Sequence, residues 1–353
     1  MATPTIFDND SDVCRNYPCS PCLKNDKKEQ ESTKYCMDCK EHFCTTCEQA
    51  HGRFTQFRDH VITKPTIVSK DLVYRKDLKG VRKNDKKLDA MGFCCITSGE
   101  TRYTLLSDYQ NDQFDLVSTI GMPGHPYALC EITSISAVAV TISNTTKLLL
   151  LDVSSDGNAT IKQEIEVPFA CRGITYVPQE FVDCLVIVSG GDPSGRDKNE
   201  KGKIDIYSID ASGADVKLVQ VREELITLDN TTHQLFPRNV AINNAKDSIL
   251  ITGAQLGVIK MKGKQSITKS SVFNSKFAKT TRGICVNDKD EVFVTGLATK
   301  NVLKFASDGT LIGEIVNESH GLVIPLSLHY DNVRNLLLIG SARHDCSFLY
   351  VNL

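Results

Sequence analysis

The chain has 353 residues, 41% of them apolar, and its 41 basic and 43 acidic side chains give a formal net charge of -2. That length suits one small module plus one large domain, and no apolar run reaches the roughly 20 residues that span a bilayer. The balanced charge argues against a dedicated nucleic-acid binder, whose main domain carries a basic excess to neutralise phosphate.

The segment from Met1 to Asp12 carries three aspartates and lacks the basic, apolar and small-residue succession of a signal peptide, so a cytoplasmic protein is expected. Of fourteen cysteines, seven fall within the first 47 residues in paired spacing, and the rest are scattered singly or as Cys94 and Cys95. In a reducing compartment that pattern reads as metal ligands plus buried free thiols, and the sequons at Asn144, Asn158, Asn230 and Asn317 are chance matches. Charge is uneven: residues 1–63 carry 8 basic and 10 acidic side chains, residues 64–91 carry 9 and 4, and residues 92–353 carry 24 and 29.

Residues 14–63 are dense in Cys, His and charge and short of aliphatics, the composition of a segment stapled by metal in place of a core. The array runs Cys19-x2-Cys22, thirteen residues, Cys36-x2-Cys39, four residues, Cys44-x2-Cys47, three residues, His51, eight residues, His60. Each Cys-x2-Cys turn can place two thiolates on one metal, and Zn2+ takes four N or S donors in a closed tetrahedral site, so these eight ligands make two structural zinc sites. Spacing alone allows sequential or interleaved pairing. His42 sits between two pairs and Cys14 outside the register, and neither is expected to ligate. With no position left for water, the metal is expected to be structural.

Order and spacing resemble the B-box zinc finger of tripartite-motif proteins. The resemblance implies interleaved sites, Cys19, Cys22, Cys44 and Cys47 on one zinc and Cys36, Cys39, His51 and His60 on the other. The gap between Cys22 and Cys36 is longer than the family's usual one, which implies an enlarged loop. Only 18 residues precede Cys19, too few for the family's RING domain. Residues 64–91 are Lys-rich and interrupted by Gly80, without the sustained heptads of the family's coiled coil; they read as a basic linker with one strand around Leu72 to Val81.

From Gly92 to Leu353 short β-branched and Leu-rich runs alternate with Gly, Asp and Asn turns, and helical periodicity is almost absent, so an all-β domain is expected. Aligning the runs on Gly92, Ala128, Gly173, Asn239, Gly283 and Ser327 gives spacings of 36, 45, 66, 44 and 44, the period of propeller blades, the long interval holding a polar insertion from Gly190 to Lys203. Second strands end in Ser189-Gly190, Thr252-Gly253 and Thr295-Gly296, and turns such as Ser212-Gly213 and Asp308-Gly309 supply the backbone that tight hairpins require. Six units suggest a six-bladed propeller; the last ends one strand short, so a strand from the start of the domain is expected to close the ring. The repeats resemble NHL-type blades, most closely at Gly283 to Val316 and at Leu105 to Val117, where Asp108 and Asn111 match that family's turn.

Two further signals are weaker. Asp152-x-Ser154-x-Asp156-Gly157 imitates a calcium loop but lacks its acidic twelfth position, which is Gln163, and reads as a hairpin turn. From Val258 to Arg282 seven basic side chains occur with no acid, a solvated edge or a patch for RNA or an acidic partner. No phosphate loop, nucleophile elbow or His-Glu-x-x-His motif occurs. The chain is therefore expected to be a monomeric protein-interaction adaptor and not an enzyme. The alternatives are a ubiquitin-ligase component acting through the B-box and an RNA-binding regulator acting through the propeller.

Overall fold

The computed structural model describes residues 18–25, 30–63, 73–77, 88–92, 95–98, 101–110, 113–143, 145–154, 158–178, 183–191, 201–226, 236–253, 257–262, 269–273, 276–332, 335–343 and 347–353. The chain divides into two compact units, Met1–Ser69 and Lys70–Leu353. No helix among the described residues is long and apolar enough to cross a membrane.

The first unit contains α1 (Ser20–Asn25), β1 (Lys34–Cys36), β2 (Glu41–Phe43), α2 (Thr45–Arg53) and β3 (Ile62–Thr63), with the strands in the order β2-β1-β3. Its buried larger apolar side chains among the described residues are Tyr35, Met37 and Phe43, alongside the thiols of Cys19, Cys36 and Cys44. Three such side chains cannot offset the chain entropy of about forty ordered residues, so the fold needs another source of stability.

Among its described residues the second unit is built of strands, with two short 3-10 turns at Thr133–Ile135 and Glu318–His320. It begins with β4 (Val73–Asp77), β5 (Leu88–Gly92), β6 (Cys95–Ser98), β7 (Thr101–Gln110) and β8 (Gln113–Gly121). Two four-stranded antiparallel sheets follow: β9 (Pro126–Ile132), β10 (Ala137–Ile142), β11 (Lys147–Val153), β12 (Ala159–Glu166); then β13 (Cys171–Val177), β14 (Cys184–Gly190), β15 (Gly202–Asp210), β16 (Lys217–Leu225). Two more are β17 (Pro237–Ile242), β18 (Ser248–Gly253), β19 (Gly257–Lys262), β20 (Lys269–Phe273), and β21 (Thr281–Val286), β22 (Val292–Gly296), β23 (Asn301–Phe305), β24 (Leu311–Val316). The remaining strands, β25 (Pro325–Asp331), β26 (Leu336–Arg343) and β27 (Ser347–Asn352), join β4 to β8 in one eight-stranded sheet of order β4-β27-β26-β5-β6-β7-β8, with β25 on β26.

In the sheets that end in β12 and β16, burial falls from the middle strands to the last. The second strands β18 and β22 are buried at every position, whereas the outer strands β12 and β16 alternate between half-buried and exposed. Doubly covered strands therefore read in the sequence as continuous apolar runs, and edge strands as alternating ones. The core lies between successive sheets: Leu148 and Leu150 of β11 meet Ile174, Leu185 and Ile187 of the next sheet, and Val186 and Val188 meet Val240, Ile251 and Ile259 of the one after. The first strands touch in succession, β5 to β9 to β13 to β17 to β21 to β25, and β25 touches β5.

Buried threonines tie this inner layer together. Thr141 Oγ1 donates to the Arg172 carbonyl at 2.5 Å, Thr252 Oγ1 donates to the Arg282 carbonyl at 2.6 Å, and Thr295 Oγ1 accepts from the Gly283 N–H at 2.7 Å. The first two bonds each cross from one sheet to the first strand of the next.

The stretch expected to be linker contributes strands. β4 pairs with β27 from Val73↔Val351 to Asp77↔Ser347, and β5 pairs with β26 at Leu88↔Arg343 and Asp89↔Ala342. Asp108 lies inside β7 opposite Asp115, and Asn111 lies outside the described residues, as do Asp156 and Gly157. The imitation calcium loop is a β11–β12 hairpin: Gln163 is in β12, its amide accepting from and donating to the Val216 backbone at 2.9 Å each.

Candidate metal centres

The ligand positions are set by short local structures. Cys19 is fully buried just before α1, and Cys22 lies within that helix. Cys36 ends β1 and Cys39 sits in the turn to β2, where Lys40 takes a positive φ of 57° and the Cys39 N–H donates to Cys36 Sγ at 3.4 Å. Cys44 is the N-cap of α2, Cys47 lies in its first turn and His51 one turn further. β3 pairs with β1 at Cys36↔Ile62, which returns His60 beside Cys36.

All eight predicted residues gather into two groups, Cys19, Cys22, Cys44 and Cys47 in one, Cys36, Cys39, His51 and His60 in the other, with the donor atoms of each group within 4.8 Å of one another. This is the interleaved arrangement: β1, the following turn and the end of α2 feed one group, and α1 and the start of α2 the other. Cys22 Sγ stands 3.9 Å from Cys44 Sγ and 3.6 Å from Cys47 Sγ. In the second group His60 Nδ1 is 3.5 Å from Cys36 Sγ and 3.3 Å from Cys39 Sγ, and His51 Nε2 is 3.9 Å from Cys39 Sγ.

These separations test whether zinc fits. Thiolates held about 2.3 Å from a tetrahedral zinc stand ~3.8 Å apart, and a thiolate and an imidazole nitrogen ~3.6 Å apart. A disulfide would need about 2.05 Å. The observed distances match metal geometry in both groups, and the cysteines are free thiols.

Electrostatics point the same way. Burial, then the neighbouring thiols of Cys19, Cys22 and Cys44, pushes the Cys47 thiol up; burial and Cys36 push the Cys39 thiol up to about 11. The Cys47 backbone N–H holds Cys44 down at about 7. Four clustered thiols cannot all ionise beside one another unless a cation compensates them. Burial and the adjacent His60 lower the basicity of His51, which favours the neutral, metal-ligating imidazole.

His51 is packed between aromatic rings, 4.7 Å from Phe43 and 4.6 Å from Phe57. Asp38 Oδ2 accepts the Val61 N–H at 2.8 Å, fixing the residue next to His60. His42 stays outside both groups: its ring lies 4.8 Å from Tyr35, its Nδ1 is 3.4 Å from Ser32 Oγ, and its backbone N–H donates to Ser20 Oγ. Cys14 lies outside the described residues.

In the second unit, a cavity of about 720 Å³ opens where the first strands end, lined among others by Cys130, Tyr176, Ile242, Cys285, His329 and Tyr330. No sequence motif marks it, because its lining comes from short stretches of several separate repeats, such as Ala128 to Glu131, Asn239 to Ile242 and Ser327 to Tyr330. The basic stretch from Val258 to Arg282 is dispersed: Lys260 Nζ donates to the Ser307 carbonyl at 2.6 Å, Lys262 lies 3.4 Å from Asp247, and Arg282 is in the inner strand β21.

No protein-family model matches the sequence, and no curated protein does. Among solved structures, the chain is similar to a gluconolactonase from Xanthomonas campestris at a TM-score of 0.50 and 11% identity, over 75% of this chain and 86% of that one. It is also similar to a virginiamycin B lyase from Staphylococcus aureus at a TM-score of 0.47 and 12% identity, over 80% of this chain and 99% of that one. At such identities the likeness speaks to fold alone: repeated four-stranded antiparallel sheets in a β-propeller-like arrangement. The gluconolactonase is an enzyme by its printed name, which is said of that protein alone, and the fold by itself neither supports nor opposes catalysis.

Proposed function

We propose that the chain is a protein-interaction adaptor of the tripartite-motif kind, a B-box module folded by two zinc ions joined to a six-bladed, NHL-like propeller that grips a protein partner. The observation that carries the reading is the pair of four-donor groups, each closed by protein side chains alone. A site with four protein ligands leaves no position for substrate or activated water, so its metal holds structure. The closed succession of first strands supports six blades, with the eight-stranded sheet read as two blades bridged between β26 and β5. On that reading β4 completes the sixth blade from the amino-terminal side, and the propeller begins at Lys70.

A cytoplasmic setting agrees with the free thiols of the described cysteines. The test is affinity capture with the full chain, zinc-loaded and zinc-stripped, and with residues 70–353 alone. Partners retained by residues 70–353 support propeller recognition; no specific partner on any form contradicts the adaptor reading. Ubiquitin transfer by the full chain that disappears with Cys36→Ala would replace it with the ligase-component alternative.

A further inference from the structure

Arg172, Arg238 and Arg282 occupy the second position of β13, β17 and β21, the first strands of three successive sheets. The residues after them lie at one level of the ring. A Cβ on Gly173 would collide with Asn239 Cα, and Thr252 Oγ1 accepts the Asn239 N–H at 3.1 Å while donating to the Arg282 carbonyl at 2.6 Å. The three arginines are therefore neighbours at the start of the inner strands, at the opposite end from the cavity that opens beyond this layer.

Two contacts fix their spacing. Arg172 Nη1 donates to the carbonyl of Pro237, the residue before Arg238, at 3.1 Å, and to Gly190 at 2.5 Å. The positive charge of Arg282 acts directly on Arg238. Aromatic rings support two of the guanidinium groups, Phe236 at 3.8 Å from Arg172 Cζ and Tyr127 at 4.9 Å from Arg282 Cζ. Stacking of this kind immobilises the planar fork while leaving its N–H edges available.

Arg238 has no complement among the described residues: it is half-buried, its Nη1 is fully buried with no hydrogen-bond partner there, and the described groups acting on its charge are Tyr127 and Arg282, with no carboxylate among them. A guanidinium stays charged at any physiological pH, so this buried donor has no way to neutralise itself. An oxyanion against the accessible part of this half-buried side chain would offset the repulsion between Arg238 and Arg282.

We propose that this end of the ring binds a phosphorylated side chain of a partner protein, with Arg238 and Arg282 on the phosphate oxygens and Arg172 adding charge beside them. The inference rests on the adaptor reading and names the chemistry of its partner. A dianionic phosphate matches several fixed guanidinium forks better than a monoanionic carboxylate does. A protein side chain is favoured over RNA because the charge is gathered at the start of three successive inner strands and not spread along a track. The lysines that would extend a track for a nucleic-acid backbone, Lys260 and Lys262, are engaged by the Ser307 carbonyl and Asp247.

The experiment uses the full zinc-loaded chain and fluorescence anisotropy with degenerate peptides carrying phosphoserine, phosphothreonine or phosphotyrosine, their unphosphorylated counterparts, and a twelve-nucleotide RNA. At least one phosphorylated pool should bind more tightly than its counterpart and be displaced by inorganic phosphate. Arg238→Gln and Arg282→Gln should each weaken that binding about ten-fold or more, the loss expected for a charge-assisted hydrogen bond, with Lys260→Gln without effect. Arg238→Lys, which keeps the charge but not the fork, should retain part of the affinity, and thermal unfolding checks that each variant is folded. If the glutamine variants do not fold, displacement by phosphate from the unaltered chain decides the matter. Equal affinity for phosphorylated and unphosphorylated pools overturns the proposal, as does RNA binding lost in the same variants with no phosphopeptide retained. Partners captured equally before and after phosphatase treatment would end this inference and leave the adaptor reading standing; phosphopeptide binding without capture of any protein would do the reverse.

Discussion

Cys36 joins ligation to folding at a single residue. It is fully buried, ends β1, accepts the Cys39 N–H through sulfur and faces His60 across 3.5 Å. Replacing it by alanine should empty the Cys36, Cys39, His51 and His60 site and lower zinc from two ions per chain to one, read by metal analysis. Burial and the neighbouring Cys36 raise the Cys39 thiol to about 11, so it keeps its proton until a metal displaces it. Zinc binds thiolates, so the loaded module should release metal and unfold as the pH is lowered, read by thermal melts of the zinc-loaded chain across pH. The eight donors were legible in the sequence because metal ligation fixes residue type and spacing together. Arg172, Arg238 and Arg282 were equally visible, each one residue before a position on which the repeats align, yet unread, because only the ring brings residues 44 to 66 positions apart together.

At the scale of elements, the second strands were the easiest to read, because burial on both faces writes them as apolar runs such as Leu185 to Val188 and Ile249 to Ile251. β4 was harder. Val73–Asp77 is a charged segment whose stability comes from β27, about 270 residues away, and that pairing leaves a faint local pattern. The segment expected to supply a strand, Leu72 to Val81, contains it, but β5 also begins inside residues 64–91, at Leu88. Removing β4 exposes the backbone of β27 as an open edge, which invites strand-to-strand aggregation. A chain starting at Gly92 should therefore aggregate or melt well below one starting at Lys70; equal melting of the two by calorimetry would show that β4 contributes nothing to the sheet.

At the scale of the whole molecule, two units with different sources of stability should respond to different insults. On the proposed reading the first depends on metal held by its two four-donor groups, the second on sheet-to-sheet burial such as that of Leu148, Leu150, Leu185 and Ile187. A chelator should abolish the structure of residues 18–63, seen as loss of chemical-shift dispersion for Tyr35 and Phe43, while the melting of residues 70–353 stays where it was. Native mass spectrometry of the full chain tests the central claim most directly. Two zinc ions per folded chain, released together with the loss of the first unit's structure on chelation, are the expected result; a folded first unit carrying one zinc or none would contradict the account.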